Sequence, residues 1–158
     1  MYEARTHGSV RRTRAQLITG PLPYSIMKMI HTCLRVLDLD RSKTFYEEVF
    51  ELKEYSRHVF DSFTLLYLRH PGLEFELELT ANHDREEPYD LGDGYGHLAF
   101  VTDDLEAALE RYHATGAEKV SIKALNHEGS LLGRFFFATD PDGYKIEVLS
   151  REGRFSDF

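Results

Sequence analysis

The 158 residues carry 42% hydrophobic and 13% aromatic side chains, enough for one compact core and little more. A net charge of −8 argues against a nucleic-acid phosphate backbone as partner, and no basic stripe runs through the body of the chain. No apolar run approaches the roughly 18 to 20 residues needed to cross a bilayer, and the single cysteine, Cys33, excludes an intrachain disulfide. A soluble, cytoplasmic protein in a reducing compartment is the expectation.

Residues 1–26 differ from the rest: Arg5, Arg11, Arg12 and Arg14 stand against the single acid Glu3, with no hydrophobic period. The segment reads as a disordered extension or the product of an upstream start codon, with organelle targeting as the alternative. One domain is expected over 27–152, followed by a tail at 153–158.

The first predicted strand is "MIHTCLRV", with His31, Cys33 and Arg35 on one face and Ile30, Thr32, Leu34 and Val36 on the other. A helix follows in "DLDRSKTFYEEVFEL", with Asp38 or Asp40 as N-cap and Leu39, Phe45, Val49 and Phe50 at roughly helical spacing. Three β-like runs come next: Lys53 to Phe60, "SFTLLYLRH", and "LEFELELT" after the turn at Pro71-Gly72. The second half opens on "YGHLAFVTDD", which places His97 on a strand. A helix is predicted from Leu105 to about Thr115, started by Asp103 and closed by Gly116. Runs near Lys119 to Lys123 and Arg134 to Thr139 precede the turn Asp140-Pro141-Asp142-Gly143 and the strand "YKIEVL".

Each half therefore reads β-α-β-β-β, over about 29–81 and 95–150. An offset of 66 residues superposes His31 on His97, Asp38 on Asp104, Leu39 on Leu105 and Tyr46 on Tyr112. A unit of about 60 residues is too small to bury its own sheet, so two are expected to share a core. Both halves begin on a strand with His and end on a strand with Glu. Pairing two such units brings two imidazoles and two carboxylates together, a donor set suited to a divalent metal. The second carboxylate is Glu147; Glu74, Glu76 and Glu78 alternate along one face, and spacing alone does not choose among them. His7, His58, His70, His83, His113 and His127 fall outside the pattern and are read as surface, Cys33 as a packed thiol.

The stretches "HTCLRVLDLDRSKTFYEEVF", "ELT", "YGHLAF" and "DPDGYKIEVL", in this order, resemble glyoxalase I (lactoylglutathione lyase) of the vicinal-oxygen-chelate superfamily, over about Met29 to Arg151. The resemblance implies an α+β fold, two tandem βαβββ units forming an open eight-stranded half-barrel. It also implies isomerisation of the methylglyoxal-glutathione hemithioacetal to S-lactoylglutathione through an enediolate. By the match to "ELT" it selects Glu78, so that the implied metal ligands are His31, Glu78, His97 and Glu147. Glu147 is the implied base, with Glu78 able to assist. Arg35 matches an arginine that pairs with a glutathione carboxylate, and Asn82 matches an amide contact to the peptide. The short length resembles the nickel- or cobalt-activated members more than the zinc enzymes. Homodimers are implied too, each site drawing His31 and Glu78 from one chain and His97 and Glu147 from the other. The chain departs from the family where "NWG" reads Asn82-His83-Asp84 and where a basic residue is replaced by Asp93. An iron dioxygenase needs an open facial triad, which a fourth ligand at Glu78 disfavours. A thiol transferase is another relative. A metal-free binding module need not keep all four ligands.

Overall fold

In the computed structural model, which describes residues 27–158, the first half runs β1 (His31–Arg35), α1 (Leu39–Phe50), β2 (Lys53–Val59), β3 (Phe63–Arg69) and β4 (Glu76–Asn82). The second runs β5 (Leu98–Thr102), α2 (Leu105–Ala114), β6 (Lys123–His127), β7 (Ser130–Thr139) and β8 (Lys145–Ser150). The leader expected over 1–26 lies outside the described residues. Both halves are βαβββ units, as the repeat in the sequence requires, and the class is α+β.

Each unit makes a four-stranded sheet, in the orders β1-β4-β3-β2 and β5-β8-β7-β6. The first strand lies parallel to the last and the remaining neighbours are antiparallel. The register repeats as well. Cys33 faces Glu78 across β1 and β4, Ala99 faces Glu147 across β5 and β8, and each histidine stands two residues ahead of that pair.

The helices begin on matching caps. Asp38 accepts a hydrogen bond from the Arg41 amide and Asp104 accepts one from the Ala107 amide. Asp103, expected as the second cap, sits one residue too early to reach the first turn and instead accepts from Arg151 Nε at 2.6 Å.

Leu34, Leu66 and Leu79 of one sheet and Phe136, Ile146 and Val148 of the other join a single core with Tyr46, Val49 and Tyr112 of the helices. The halves touch through α1 and α2, with Phe45 and Tyr112 rings 6.3 Å apart; Phe50 meets Phe100 of β5 at 4.5 Å. The Asp140–Gly143 turn adds a clasp. Asp142 accepts from the Leu37 amide (2.8 Å) and the Ser42 hydroxyl (2.7 Å), while Asp140 accepts from the Tyr46 hydroxyl (2.8 Å). Ser42, fully buried on α1, is explained by this contact. The Tyr144 hydroxyl donates to the Arg35 carbonyl at the end of β1.

Two stretches differ from expectation. The strand foreseen at Lys119 to Lys123 is displaced: β6 begins at Lys123, and β7 begins at Ser130, four residues before Arg134. Glu128 and Gly129 both take positive φ (49° and 77°), the two-residue hairpin turn whose twist matches the flanking strands. Gly153–Phe155, in the expected tail, forms a 3₁₀ turn that sets the Phe155 ring on Gly133 of β7. Among the described residues no helix is long and apolar enough to cross a membrane.

Candidate metal centre

The helices cover one face of each sheet. Strand alternation therefore sends His31, Cys33 and Arg35 of β1, and Glu76, Glu78 and Thr80 of β4, to the other face. His31 Nε2 lies 3.5 Å from Glu78 Oε2, and His97 Nε2 lies 3.2 Å from Glu147 Oε2. In both pairs the ring turns the same nitrogen toward the carboxylate. His97, expected on a strand, stands immediately before β5, because the ladder starts at Leu98 opposite Ile146.

The three acids of "LEFELELT" separate cleanly. Glu74 lies ahead of β4 and pairs with Lys28; Glu76 pairs with Arg69 at 3.6 Å; Glu78 meets His31. Among the described residues, no three His, Cys, Asp or Glu side chains gather as a metal-binding group. The four residues named from the sequence stand as two histidine–glutamate pairs, one on each sheet. Two imidazole nitrogens and two carboxylates fit a borderline divalent ion, and the lone-pair atoms of each pair already face one another.

The two carboxylates have different surroundings. Burial works to raise the Glu78 carboxyl, but hydrogen bonds from Tyr67, Cys33 and Thr80 and the nearby His31 outweigh it, so Glu78 stands below the usual carboxylate range. Thr80 Oγ1 donates to Glu78 Oε1 at 3.1 Å and lies 3.3 Å from Cys33 Sγ. Hydrogen bonding to Glu78, with burial, pushes the Tyr67 phenol up to about 12. Cys33, expected as a packed thiol, is exposed on the open face of β1, because alternation turns Leu34 and not its neighbours to the core; partial burial of the sulfur chiefly raises the thiol, which keeps it protonated. Glu147 faces Ala99 and Phe137 instead, and Phe137 meets the His97 ring edge-on at 5.3 Å.

Arg35 and Asn82 come together at the far end of β1 and β4: Arg35 Nη1 donates to Asn82 Oδ1 at 2.8 Å, and the Tyr89 hydroxyl reaches the same oxygen at 3.3 Å. Among the described residues Arg35 has no carboxylate within ion-pair distance. Two histidines read as surface take structural contacts: His83 Nε2 bonds Thr64 Oγ1 at 2.9 Å, and His113 Nε2 accepts from the Val120 amide. Tyr67, Thr80 and Tyr89 escaped the sequence reading. Their signal is cross-strand register, which alternation within one strand does not carry.

The profile of the Glyoxalase/Bleomycin resistance protein/Dioxygenase superfamily matches residues 28–148. A lactoylglutathione lyase of Neisseria meningitidis is 38% identical over 131 residues, which cover 80% of this chain and 92% of that one. One of Haemophilus influenzae is 36% identical over 130 residues, covering 80% and 94%. Among solved structures, the trypanothione-dependent glyoxalase I of Leishmania major is 33% identical with a TM-score of 0.64, covering 79% of this chain and 87% of that one. Glyoxalase I of Zea mays is 33% identical with a TM-score of 0.67, and the match covers 77% of this chain and 44% of the maize chain. A repeated βαβββ architecture, a histidine beside a glutamate on each sheet, and these likenesses over four fifths of the chain lead to one conclusion: the chain belongs to the lactoylglutathione lyase (glyoxalase I) family of that superfamily.

Proposed function

We propose that the protein isomerises the hemithioacetal of methylglyoxal and glutathione to S-lactoylglutathione, removing methylglyoxal from the cytoplasm. The observation that carries this reading is the occurrence, in equal register on two sheets, of an imidazole beside a carboxylate. Neither pair fills a coordination sphere alone. In a homodimer, His31 and Glu78 of one protomer complete a site with the partner's His97 and the partner's Glu147. Nickel or cobalt is the preferred ion, ahead of zinc. A divalent cation, when bound, supplies positive charge that stabilises the negative charge developing on the two substrate oxygens.

Glu147 removes the proton from the substrate carbon that bears sulfur and hydroxyl, and returns it to the neighbouring carbonyl carbon. The first carbon's hydroxyl loses its proton and becomes the thioester carbonyl, while the second carbon's oxygen gains one and becomes the lactoyl hydroxyl. No net proton or electron is exchanged. Arg35, without an acidic partner among the described residues, presents a guanidinium fork to a glutathione carboxylate. Because Asn82 Oδ1 accepts from Arg35 and Tyr89, its amide N–H groups are left to donate to the peptide.

Protein reconstituted with nickel or cobalt is expected to convert the preformed adduct to thioester, and Glu147→Gln to abolish turnover and weaken metal binding. Full activity in Glu147→Gln contradicts the base assignment. Wild-type protein that takes up metal yet ignores the glutathione adduct points to another thiol, and trypanothione is the first to try.

A further inference from the structure

The loop between β4 and β5 folds back on the first sheet beside Arg35 and Asn82. Asn82 is the last residue of β4, and Tyr89, seven residues on, returns its hydroxyl to Asn82 Oδ1 at 3.3 Å. Arg85 holds the loop in that shape. Its Nε donates to the Glu87 carbonyl (2.5 Å), its Nη2 donates to the Pro88 carbonyl (2.6 Å), and its guanidinium lies 4.7 Å from the centre of the Tyr89 ring. The Arg85 amide donates to the Asn82 carbonyl at 3.2 Å, so the turn starts on the residue to which Tyr89 returns. Acids flank Arg85 at Asp84, Glu86 and Glu87, yet among the described residues no carboxylate lies within ion-pair distance of it. Its donors serve the backbone of its own loop.

We infer that Tyr89, held by Arg85, is a positioning residue that fixes the Asn82 amide for the thiol end of the substrate. The inference rests on the proposed reading of Arg35 and Asn82 as glutathione contacts. An asparagine amide has two ends of similar shape and opposite polarity, and its terminal torsion is soft. Arg35 Nη1, at 2.8 Å, and the Tyr89 hydroxyl both donate to Oδ1, so turning the amide over would set its N–H groups against two donors. The two donors have different duties. When Arg35 turns its fork to a substrate carboxylate, the Tyr89 hydroxyl, whose one partner among the described residues is Asn82, keeps Oδ1 engaged. The Asn82 amide protons then stay aimed at the peptide. A loop already shaped by Arg85 has little left to order when the ligand binds.

The test is titration calorimetry of the nickel- or cobalt-loaded protein with S-methylglutathione, which has no thiol left to react, alongside turnover of the hemithioacetal. Tyr89→Phe is expected to raise the dissociation constant and KM about 3–10-fold, the loss of one hydrogen bond, with kcat within about twofold of wild type. Asn82→Ala is expected to raise both at least as much. Adding Tyr89→Phe to Asn82→Ala is expected to change nothing further, because Tyr89 acts through Asn82. Arg85→Lys, which keeps the charge and loses the fork, is expected to match Tyr89→Phe in affinity and to add nothing to it. Thermal unfolding of each variant is expected to match wild type, which separates positioning from folding. If wild type binds S-methylglutathione and Tyr89→Phe binds it equally well, the inference falls while the reading of the site stands. Additive losses in the double variant also overturn it, since Tyr89 then acts on the ligand without Asn82. Wild-type affinity in Arg85→Lys removes Arg85 from the assignment. Wild-type protein that binds no S-methylglutathione overturns the glutathione reading and this inference together.

Discussion

Tyr46 and Tyr112 hold equivalent places on α1 and α2, both fully buried, and both direct their hydroxyls to the β7–β8 corner. Tyr46 donates to the Asp140 carboxylate, whereas Tyr112 accepts from the Thr139 amide. A bond to a charged acceptor contributes more than one between neutral groups, so Tyr46→Phe is expected to cost about 1.5–3 kcal/mol in urea unfolding, and Tyr112→Phe nearer 1 kcal/mol. Burial raises Asp140 above its ordinary value, although Tyr46 and the Tyr144 and Asp142 amides oppose the rise. The folded state therefore holds that proton more tightly than the unfolded chain. The stability it contributes is fully present below the unfolded value, about 3.9, and is lost as pH rises through the folded one. Unfolding free energies measured upward from about pH 3.5 are expected to show this decline in wild type and to lack it in Asp140→Asn.

At the scale of elements, the two helices start alike and stop differently. α2 ends ahead of Gly116, at φ +81°, while α1 closes on Glu51 at φ +57°, a conformation that disfavours a side chain. Glu51→Gly is expected to raise stability by up to about 1 kcal/mol in thermal or urea unfolding, since the lost ion pair to Arg111 is exposed and weak. Most elements were legible because one face of each is buried and the other wet: "TFYEEVF" and "SFTLLYLR" declare their period directly. β6 was not, because Lys123–His127 is exposed on both faces and so has no contrast to display. His97 was placed on β5 by its neighbours' alternation, but the ladder begins one residue later. The histidine–glutamate pairs proposed as metal ligands were visible as a repeated residue pair. Tyr67 was not, since facing Glu78 depends on how β3 and β4 register across the Pro71-Gly72 turn, and on nothing local to "LLYLR".

For the whole molecule, the decisive feature is that each sheet carries one histidine–glutamate pair, which the proposed dimer uses as half of a site. Mixing two inactive variants tests whether chains share centres. His31→Ala damages one half-site and Glu147→Gln the other, so a mixed dimer has one centre carrying both lesions and one carrying none. Co-refolded in equal amounts, the pair is expected to recover about one quarter of wild-type activity; no recovery at all would show that each centre belongs to a single chain. The clasp from Asp140 and Asp142 to α1 lies within one chain, whereas completion of the metal site in this arrangement lies between chains. The two sets of contacts do not compete. In the proposed dimer, dilution is expected to part the protomers and silence the catalyst without opening either core, leaving folded subunits ready to reassemble when concentration recovers.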